Sequence, residues 1–445
     1  MKTLGLDIGT TSISCVVMDS CGQLAVRTLP NDTYLQNARS WAREQDVAAI
    51  WQKCEQCIAD LLLEWPDIEA IGIAGQMHGI VYLNANGEAV SPLFTWEDGR
   101  GDLLYQNGES YAACLSRITG HSMSTGFGLT THFYNLINGL VPTDASKIST
   151  IMDYVAMKLC GAVEPSIHAS NASGLGLFDI EKNCFDLAAL AAAGIDPAIL
   201  PRVLDGEEIV GETAQGIKVT VPIGDVQAGI FGLVQDDSDV VINIGTSSQV
   251  SSICQSPCAP DGLESRPFVQ GKYIMLGAGL CGGSSFQLLN SFFRDVCRVF
   301  SEEVYQDAVY EKMVQAAAQA FEQEQSKVQA KIETEHLIVL PLFRGKRSDP
   351  ELRGSISNIS VTNFTPGELA LGFFHGVCSE LYDAYEKMPA LPDDGRLLLC
   401  GNALRKNPLL RQICAEVFGR EGYLGEFSEE TAVGAAKLAA VVCSG

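Results

Sequence analysis

The sequence predicts an α/β protein made of two similar domains, and three observations carry that prediction. The opening of the chain alternates strands with a helix: Thr3–Asp7, Ser12–Asp19 and Gln23–Leu29 read as extended, Val47–Trp65 as helical, and Ala70–Ala74 as extended again. Strands interleaved with helices define the α/β class. A second observation is an internal echo, Asp7-Ile-Gly-Thr-Thr-Ser12 against Asn243-Ile-Gly-Thr-Ser-Ser248, identical at four of six positions. In both, an apolar run feeds the turn (Leu4–Leu6; Val240–Ile242) and an extended run leaves it (Ile13–Val17; Gln249–Ile253). The third is length, since 445 residues exceed what one compact core ordinarily holds.

The elements follow from local chemistry. Gly9-Thr10-Thr11 breaks the first extended run as a turn, and Gly22 precedes the third strand, so the chain opens as a β-meander. Helical spacing in the next segment places Ile50, Trp51, Cys54, Ile58, Leu61 and Leu62 on one face. The repeated hairpins stand 236 residues apart, too far for a solenoid and suited to two domains facing each other across a cleft. The expected division is 1–232 and 233–445, with a hinge near Gly229–Ser238, where an apolar helical pattern gives way to an acidic turn. The charged, Ala/Gln-rich block Glu302–Glu333 reads as a solvated helix.

Composition excludes several classes. Hydrophobic residues make up 47% and charged residues 19%, enough apolar surface for real cores. Acidic side chains outnumber basic ones 54 to 30, a net charge of −24 that repels phosphodiester backbones, so nucleic acid is not expected as a partner. A nucleotide site in such a chain must draw on bound Mg²⁺, backbone N–H groups and helix N-termini. No secretory apolar region or membrane-length segment is expected, and the fifteen cysteines are expected as free thiols in a reducing cytoplasm. Cys54 and Cys57 form a C-x-x-C without a second pair and read as ordinary thiols.

Five clusters carry chemistry. The turn Gly9-Thr10-Thr11 and its counterpart Gly245-Thr246-Ser247 offer backbone N–H groups and hydroxyls to phosphate oxygens, and Asp7 stands where a hard oxygen ligand could hold Mg²⁺. Asp225, between the strand Ile217–Val221 and the small-residue run Ala228-Gly229, suits either a helix cap or a base that takes a proton from an attacking hydroxyl. Gln76 and His78, framed by Gly75 and Gly79, mix donors and acceptors for a hydroxyl-rich ligand. His121, His168, His336 and His375 read as structural. Thr95–Arg100 gathers an aromatic face in Trp96, acids in Glu97 and Asp98, and the Arg100 guanidinium; the alternative there is a core tryptophan with a surface Asp98–Arg100 pair. Gly282-Gly283 and Gly401-Asn402 each lead into a helix N-terminus, without a Walker or G-x-G-x-x-G pattern.

In that order the chain resembles the FGGY carbohydrate kinases, a branch of the actin and hexokinase superfamily, nearly end to end. The shared blocks are Asp7–Ser12, GQMHG (Gly75–Gly79), TWEDGR (Thr95–Arg100), Met152–Gly161, Ser170–Phe178, GDVQAGIFG (Gly224–Gly232), Asn243–Gln249 and Gly401–Gln412. The resemblance implies an actin-like ATPase, RNase H-like fold, with a sugar-binding N-terminal and a nucleotide-binding C-terminal domain around a catalytic cleft. It implies ATP and Mg²⁺ as cofactors and a ketose as acceptor. Sedoheptulose is favoured by Trp96–Arg100 and Asp153–Gly161; xylulose or another pentulose or polyol is the alternative, and a non-catalytic actin-fold sugar sensor a third. The resemblance puts Asp225 on the catalytic base and on the metal together with Asp7. It puts Gln76, Met77, His78, Trp96, Asp98, Arg100 and Asp225 on the sugar. Gly9, Thr10, Thr11, Gly245, Thr246, Ser247, Gly282, Gly283, Gly401, Asn402 and Asn407 fall on ATP. The expected partners are small molecules only, with no membrane and no nucleic acid, and a homodimer is left open.

Overall fold

The computed structural model describes residues 1–258, 260–300, 306–329, 336–345, 349, 351–389, 391, 392 and 394–444. Their contacts divide the chain into two compact units, Met1–Leu233 with Arg266–Tyr273 and Phe427–Gly445, and Val234–Ser265 with Ile274–Glu426.

The first unit is built on a twisted mixed sheet. Strand Lys2–Ile8 pairs antiparallel with Ser12–Asp19, which pairs antiparallel with Gly22–Pro30, so the opening meander forms as expected. On its other side Lys2–Ile8 runs parallel to Ile68–Gly75, and Ile223–Gly224 runs parallel to that strand in turn. The sheet then continues through Lys218–Thr220 to the edge strand Ile209–Glu212. Helix Val47–Glu64 starts where the Asp46 carboxylate accepts the Ala48 and Ala49 N–H groups, and it buries Ile50, Cys54, Ile58 and Leu61 against the sheet. Cys57 is buried on the same helix, and all fifteen cysteines are free thiols.

The second unit repeats the plan. Strand Val240–Ile244 pairs antiparallel with Ser248–Cys254 and parallel with Leu397–Cys400. Helix Pro366–Tyr385 packs on strand Ser248–Cys254 and helix Gln306–Gln329 packs on that helix in turn, so that Ala317, Phe321, Phe374 and Leu381 join one core. The helix expected over Glu302–Glu333 thus has a buried side at Met313, Ala317, Ala320 and Phe321, and its ends at 302–305 and 330–333 lie outside the described residues.

Each compact unit draws on more than one stretch of the chain. The chain leaves the first unit at Leu233, but the terminal helix Glu430–Ser444 packs back onto the first unit's sheet. Small residues make that return possible. A Cβ on Gly5 would overlap the Ala432 carbonyl, and one on Gly72 the Ala435 carbonyl; Gly5 and Gly72 are neighbours in the sheet. The same helix meets Asp225–Leu233 through Gly434 and Gly232, where added Cβ atoms would overlap the Ala228 and Glu430 carbonyls. Packing this close gains dispersion contacts that a bulkier residue at any of these positions would forfeit. No helix among the described residues is long and apolar enough to cross a membrane.

Candidate functional site

In the first unit the candidate residues gather at the carboxyl ends of three adjacent strands. Ile68–Gly75 lies in the middle, with Asp7 and Ile223 both in register with Ala74 on its two sides. Asp7 is therefore one residue from the end of its strand, while Asp225 follows directly after Gly224 as the first residue of helix Asp225–Leu233. Carboxyl ends of parallel strands are where α/β sheets ordinarily present their sites.

Asp7 Oδ1 is sealed from solvent and has no hydrogen-bond partner. Burial first, then repulsion from Asp225 and Glu429, pushes its carboxyl up to about 8. The Asp225 carboxylate is also pushed up by burial, to about 6, against the opposing influence of the Val226 N–H, which it accepts at 2.8 Å, and of Arg266. Two acids held this close, one with an oxygen lacking any donor, suit a cation. Among the described residues no group of three or more His, Cys, Asp or Glu forms a preformed metal cage. One or two carboxylates completed by water and phosphate oxygens is the ordinary way of holding Mg²⁺, and Asp7 and Asp225 fit it.

Side-chain amides brace the turn after Asp7. Asn31 donates to the Gly9 carbonyl at 2.8 Å, and its own N–H reaches the Thr11 carbonyl. Gln45, fully buried, donates to the Thr10 carbonyl at 3.0 Å and accepts from Gln76 Nε2 at 2.9 Å. Trp96 is 47% exposed, with its indole N–H donated to Thr10 Oγ1 at 2.9 Å, so a flat aromatic surface stays open beside the turn. Asn31, Gln45 and Arg266 were not singled out in the sequence. No motif marks them, because they reach the site from strands and loops remote in the chain.

The other sugar candidates divide. His78 is half-buried with a positive φ of 72°; its ring stacks on Phe127 at 4.8 Å and its Nδ1 stands 2.6 Å from the Gly174 carbonyl. A non-glycine residue held in that backbone region is a strain that the surrounding packing must maintain. Met77 is buried beneath Gly224, where a Cβ would meet its sulfur at 2.5 Å. Asp98 and Arg100 form a buried pair, unlike the surface pair considered from the sequence. Asp98 Oδ1 accepts the Arg100 backbone N–H at 3.1 Å and its Nε at 2.6 Å, and Oδ2 accepts the Arg43 N–H at 3.0 Å. The remaining Arg100 donors go to Asn135 and Glu44, and the guanidinium lies over Phe94 at 4.2 Å. Those contacts use the Arg100 side chain to shape the wall that carries Trp96.

In the second unit three glycine segments converge on the end of strand Val240–Ile244. The Gly283 N–H donates to the Gly245 carbonyl at 2.7 Å, and those of Gly282 and Ser284 to Thr246 at 3.2 and 3.0 Å. Cβ atoms on Gly282 and Gly283 would overlap the Ser247 and Gly245 carbonyls, so only glycine allows the approach. Asn243 is in register with Cys400, and Gly401, at φ 89°, brings its backbone against the Asn243 side chain before helix Asn402–Lys406 begins. Thr246 and Ser247 remain exposed at the tip. Asn407 takes another role: it caps helix Pro408–Phe418, its Oδ1 accepting the Leu410 N–H at 3.2 Å, and it is buried.

Two family models together span this architecture, the N-terminal domain of the FGGY family of carbohydrate kinases over residues 2–232 and its C-terminal domain over 240–443. The chain belongs to the FGGY family of carbohydrate kinases, enzymes that transfer a phosphoryl group from ATP to an alcohol group of a carbohydrate. It is 28% identical to the sedoheptulokinase of Homo sapiens over 98% of this chain and 96% of that one. It is 23% identical to the xylulose kinase of Escherichia coli K12, covering 99% and 90%. The crystal structure of xylulose kinase from Rhodospirillum rubrum superposes with a TM-score of 0.82 over 100% of this chain and 90% of that chain at 20% identity, which establishes the actin-like ATPase fold.

Proposed function

We propose that the protein phosphorylates the terminal hydroxyl of a ketose, with sedoheptulose as the acceptor and Asp225 as the general base. The observation that carries the mechanism is Asp225 itself, a half-buried carboxylate at the start of the helix that follows a strand end, its proton affinity raised to about 6, close to the neutral range in which a base works best. The acceptor rests on the full-length similarity to the human sedoheptulokinase.

In this reading the carbohydrate lies against the exposed face of Trp96, with Gln76 and His78 as hydrogen-bonding groups beside it. Asp98 and Arg100 act by holding the segment that carries Trp96. Asp225 takes the proton of the attacking hydroxyl. Asp7, with Asp225, would hold Mg²⁺, which when bound supplies charge neutralisation at the transferred phosphate. Within the first unit the turn Gly9-Thr10-Thr11 is suited to donate to phosphate oxygens, and within the second the exposed tip Thr246-Ser247, whose neighbour Gly245 has its N–H on the Ser247 carbonyl, is suited likewise. Gly282, Gly283 and Gly401 serve the rest of the nucleotide by letting the main chain around Gly245–Ser247 close up, Asn402 starts the adjoining helix, and Asn407 supports that region as a helix cap.

Two measurements test this. Asp225→Asn should lower kcat by ~10²-fold to 10⁴-fold with folding intact, and a near-parental rate would remove Asp225 from the base role. A coupled ATP-consumption assay across sedoheptulose, xylulose, ribulose and glycerol should give sedoheptulose the highest kcat/KM. A higher value for xylulose would move the acceptor to the pentuloses.

A further inference from the structure

His168 lies outside every motif used above, and its surroundings give it more than a packing role. It is 2% exposed and caps the short helix Ala169–Leu175, its Nδ1 accepting the Ser170 N–H at 3.2 Å. An accepting Nδ1 carries no proton, so the ring N–H is on Nε2. Ser170 Oγ, fully buried, stands 2.8 Å from the same Nδ1, and with the ring N–H on Nε2 toward Glu207 it is assigned as a donor that shares Nδ1 with the Ser170 N–H. The lone pairs of that hydroxyl are left to accept, and they receive the backbone N–H of Gly224 at 3.2 Å. Gly224 is the residue before Asp225. The next side chain of the helix, Asn171, donates to the Pro222 carbonyl at 3.1 Å, so this helix grips the strand leading to Asp225 at two points.

At the other side of the ring, Nε2 faces Glu207 Oε1 at 3.6 Å, an electrostatic contact longer than a hydrogen bond. Burial opposes charge on Glu207, but His168 and the Gln270 N–H outweigh it and hold the carboxyl below its ordinary range. The Gln270 N–H donates to Glu207 Oε1 at 2.6 Å, and the Pro267 carbonyl accepts from the buried Gln227 Nε2 at 3.1 Å. The segment Arg266–Tyr273, whose Arg266 acts electrostatically on Asp225, is thereby fastened both to Glu207 and to the helix that Asp225 begins.

We propose that Glu207, His168 and Ser170 form a directional polar chain that positions Asp225 for proton abstraction, making all three positioning residues of the phosphoryl transfer. This rests on the reading of Asp225 as the base. A cap serving stability alone needs only the Ser170 N–H as its partner; the hydroxyl aimed onward to Gly224 is what ties the chain to the reacting carboxylate. Losing it frees the Gly224 amide, and displacement of a catalytic group by a fraction of an ångström reduces turnover before it reduces binding.

The test is steady-state kinetics with ATP and sedoheptulose, or xylulose should the sugar panel select it, alongside thermal melts. Ser170→Ala should lower kcat about 10-fold with KM for the ketose within about twofold, and Tm should fall by only a few degrees for the Gly224 amide left without its acceptor. His168→Leu should do the same, while His168→Asn, whose Oδ1 can replace Nδ1 as the acceptor, should recover to within about threefold of the parent. A Ser170→Ala enzyme with parental kcat overturns the proposal, as does His168→Asn being as impaired as His168→Leu, or KM for the ketose worsening in step with the fall in kcat. Asp225→Asn, measured in parallel, separates the cases: if it stays active the base assignment has failed, and if it is dead while Ser170→Ala is unaffected only the positioning chain has failed.

Discussion

The turns Asp7–Ser12 and Asn243–Ser248 begin from nearly the same sequence and are held by different means. In the first unit Ile8 pairs with Ile13, leaving Gly9–Ser12 as the turn; in the second, Ile244 pairs with Ser248, leaving only Gly245–Ser247. One residue of register changes which side chains stand opposite one another, so Asp7 faces Ser14 where Asn243 faces Gln249. The first turn is supported from below by the side chains of Asn31 and Gln45, the second by the backbone of Gly282–Ser284 at distances only glycine permits. The first also carries a titratable carboxyl, Asp7, where the second has the neutral amide of Asn243. One hairpin has thus been fitted to carry a carboxylate and the other to let main chain approach main chain.

The largest expected effect comes from erasing the difference between carboxyl and amide. Asp7→Asn should lower kcat ~10²-fold to 10³-fold, measured at saturating ATP and Mg²⁺, because a group that acts on transition-state charge is removed. The same variant has a pH signature in protein free of Mg²⁺ and nucleotide. The folded-state value of Asp7, about 8, is above the ~3.9 of an unfolded chain, so its contribution to stability is complete below pH ~4 and is lost as pH rises to about 8. Thermal melts of the parent should fall across that window, and those of Asp7→Asn should fall less. An identical pH slope in both would mean that Asp7 ionises freely in the folded protein.

Next in size is the glycine contact of the second turn. Gly282→Ala places a Cβ on the Ser247 carbonyl, which should cost about 1–3 kcal/mol and raise KM for ATP about 10-fold while KM for the ketose holds. An equal rise in both would show that the damage is not confined to the nucleotide loops. Gln45→Ala, in the first turn, leaves Gln76 Nε2 and the Thr10 carbonyl without their partner, at a cost of about 1–3 kcal/mol in denaturant unfolding, with ketose KM rising more than ATP KM. The smallest effect belongs to Asn243→Asp, which gives the second turn the first one's carboxyl. It should change kcat by less than about threefold, since Asn243 is exposed and water screens the added charge; a large loss would show that the neutral amide is itself required.

Much of this was legible in the chain. The opening meander, the helix after it and the repeated hairpin were visible because strand alternation, helical spacing and glycine turns are local properties, set within a few residues by backbone sterics and apolar patterning. The family blocks placed Asp7 and Asp225 at strand ends, where register puts them on either side of Ile68–Gly75. Asp98 and Arg100 were visible as a cluster, but their burial was not, because Asn135 and Glu44, which complete it, come from other elements. His168 read as an ordinary structural histidine for the same reason: its link to Gly224 spans 54 residues through Ser170.

The sequence alone therefore determined the class, the repeated hairpin and the kinds of side chain available for the chemistry. Only the tertiary structure decided that the last helix returns to the first unit, that one turn rests on amides and the other on glycines, and which acids are buried near one another. The reason is physical: hydrogen bonding within an element is fixed by neighbours in sequence, whereas close approach, desolvation and the resulting proton affinities depend on what distant segments bring into contact.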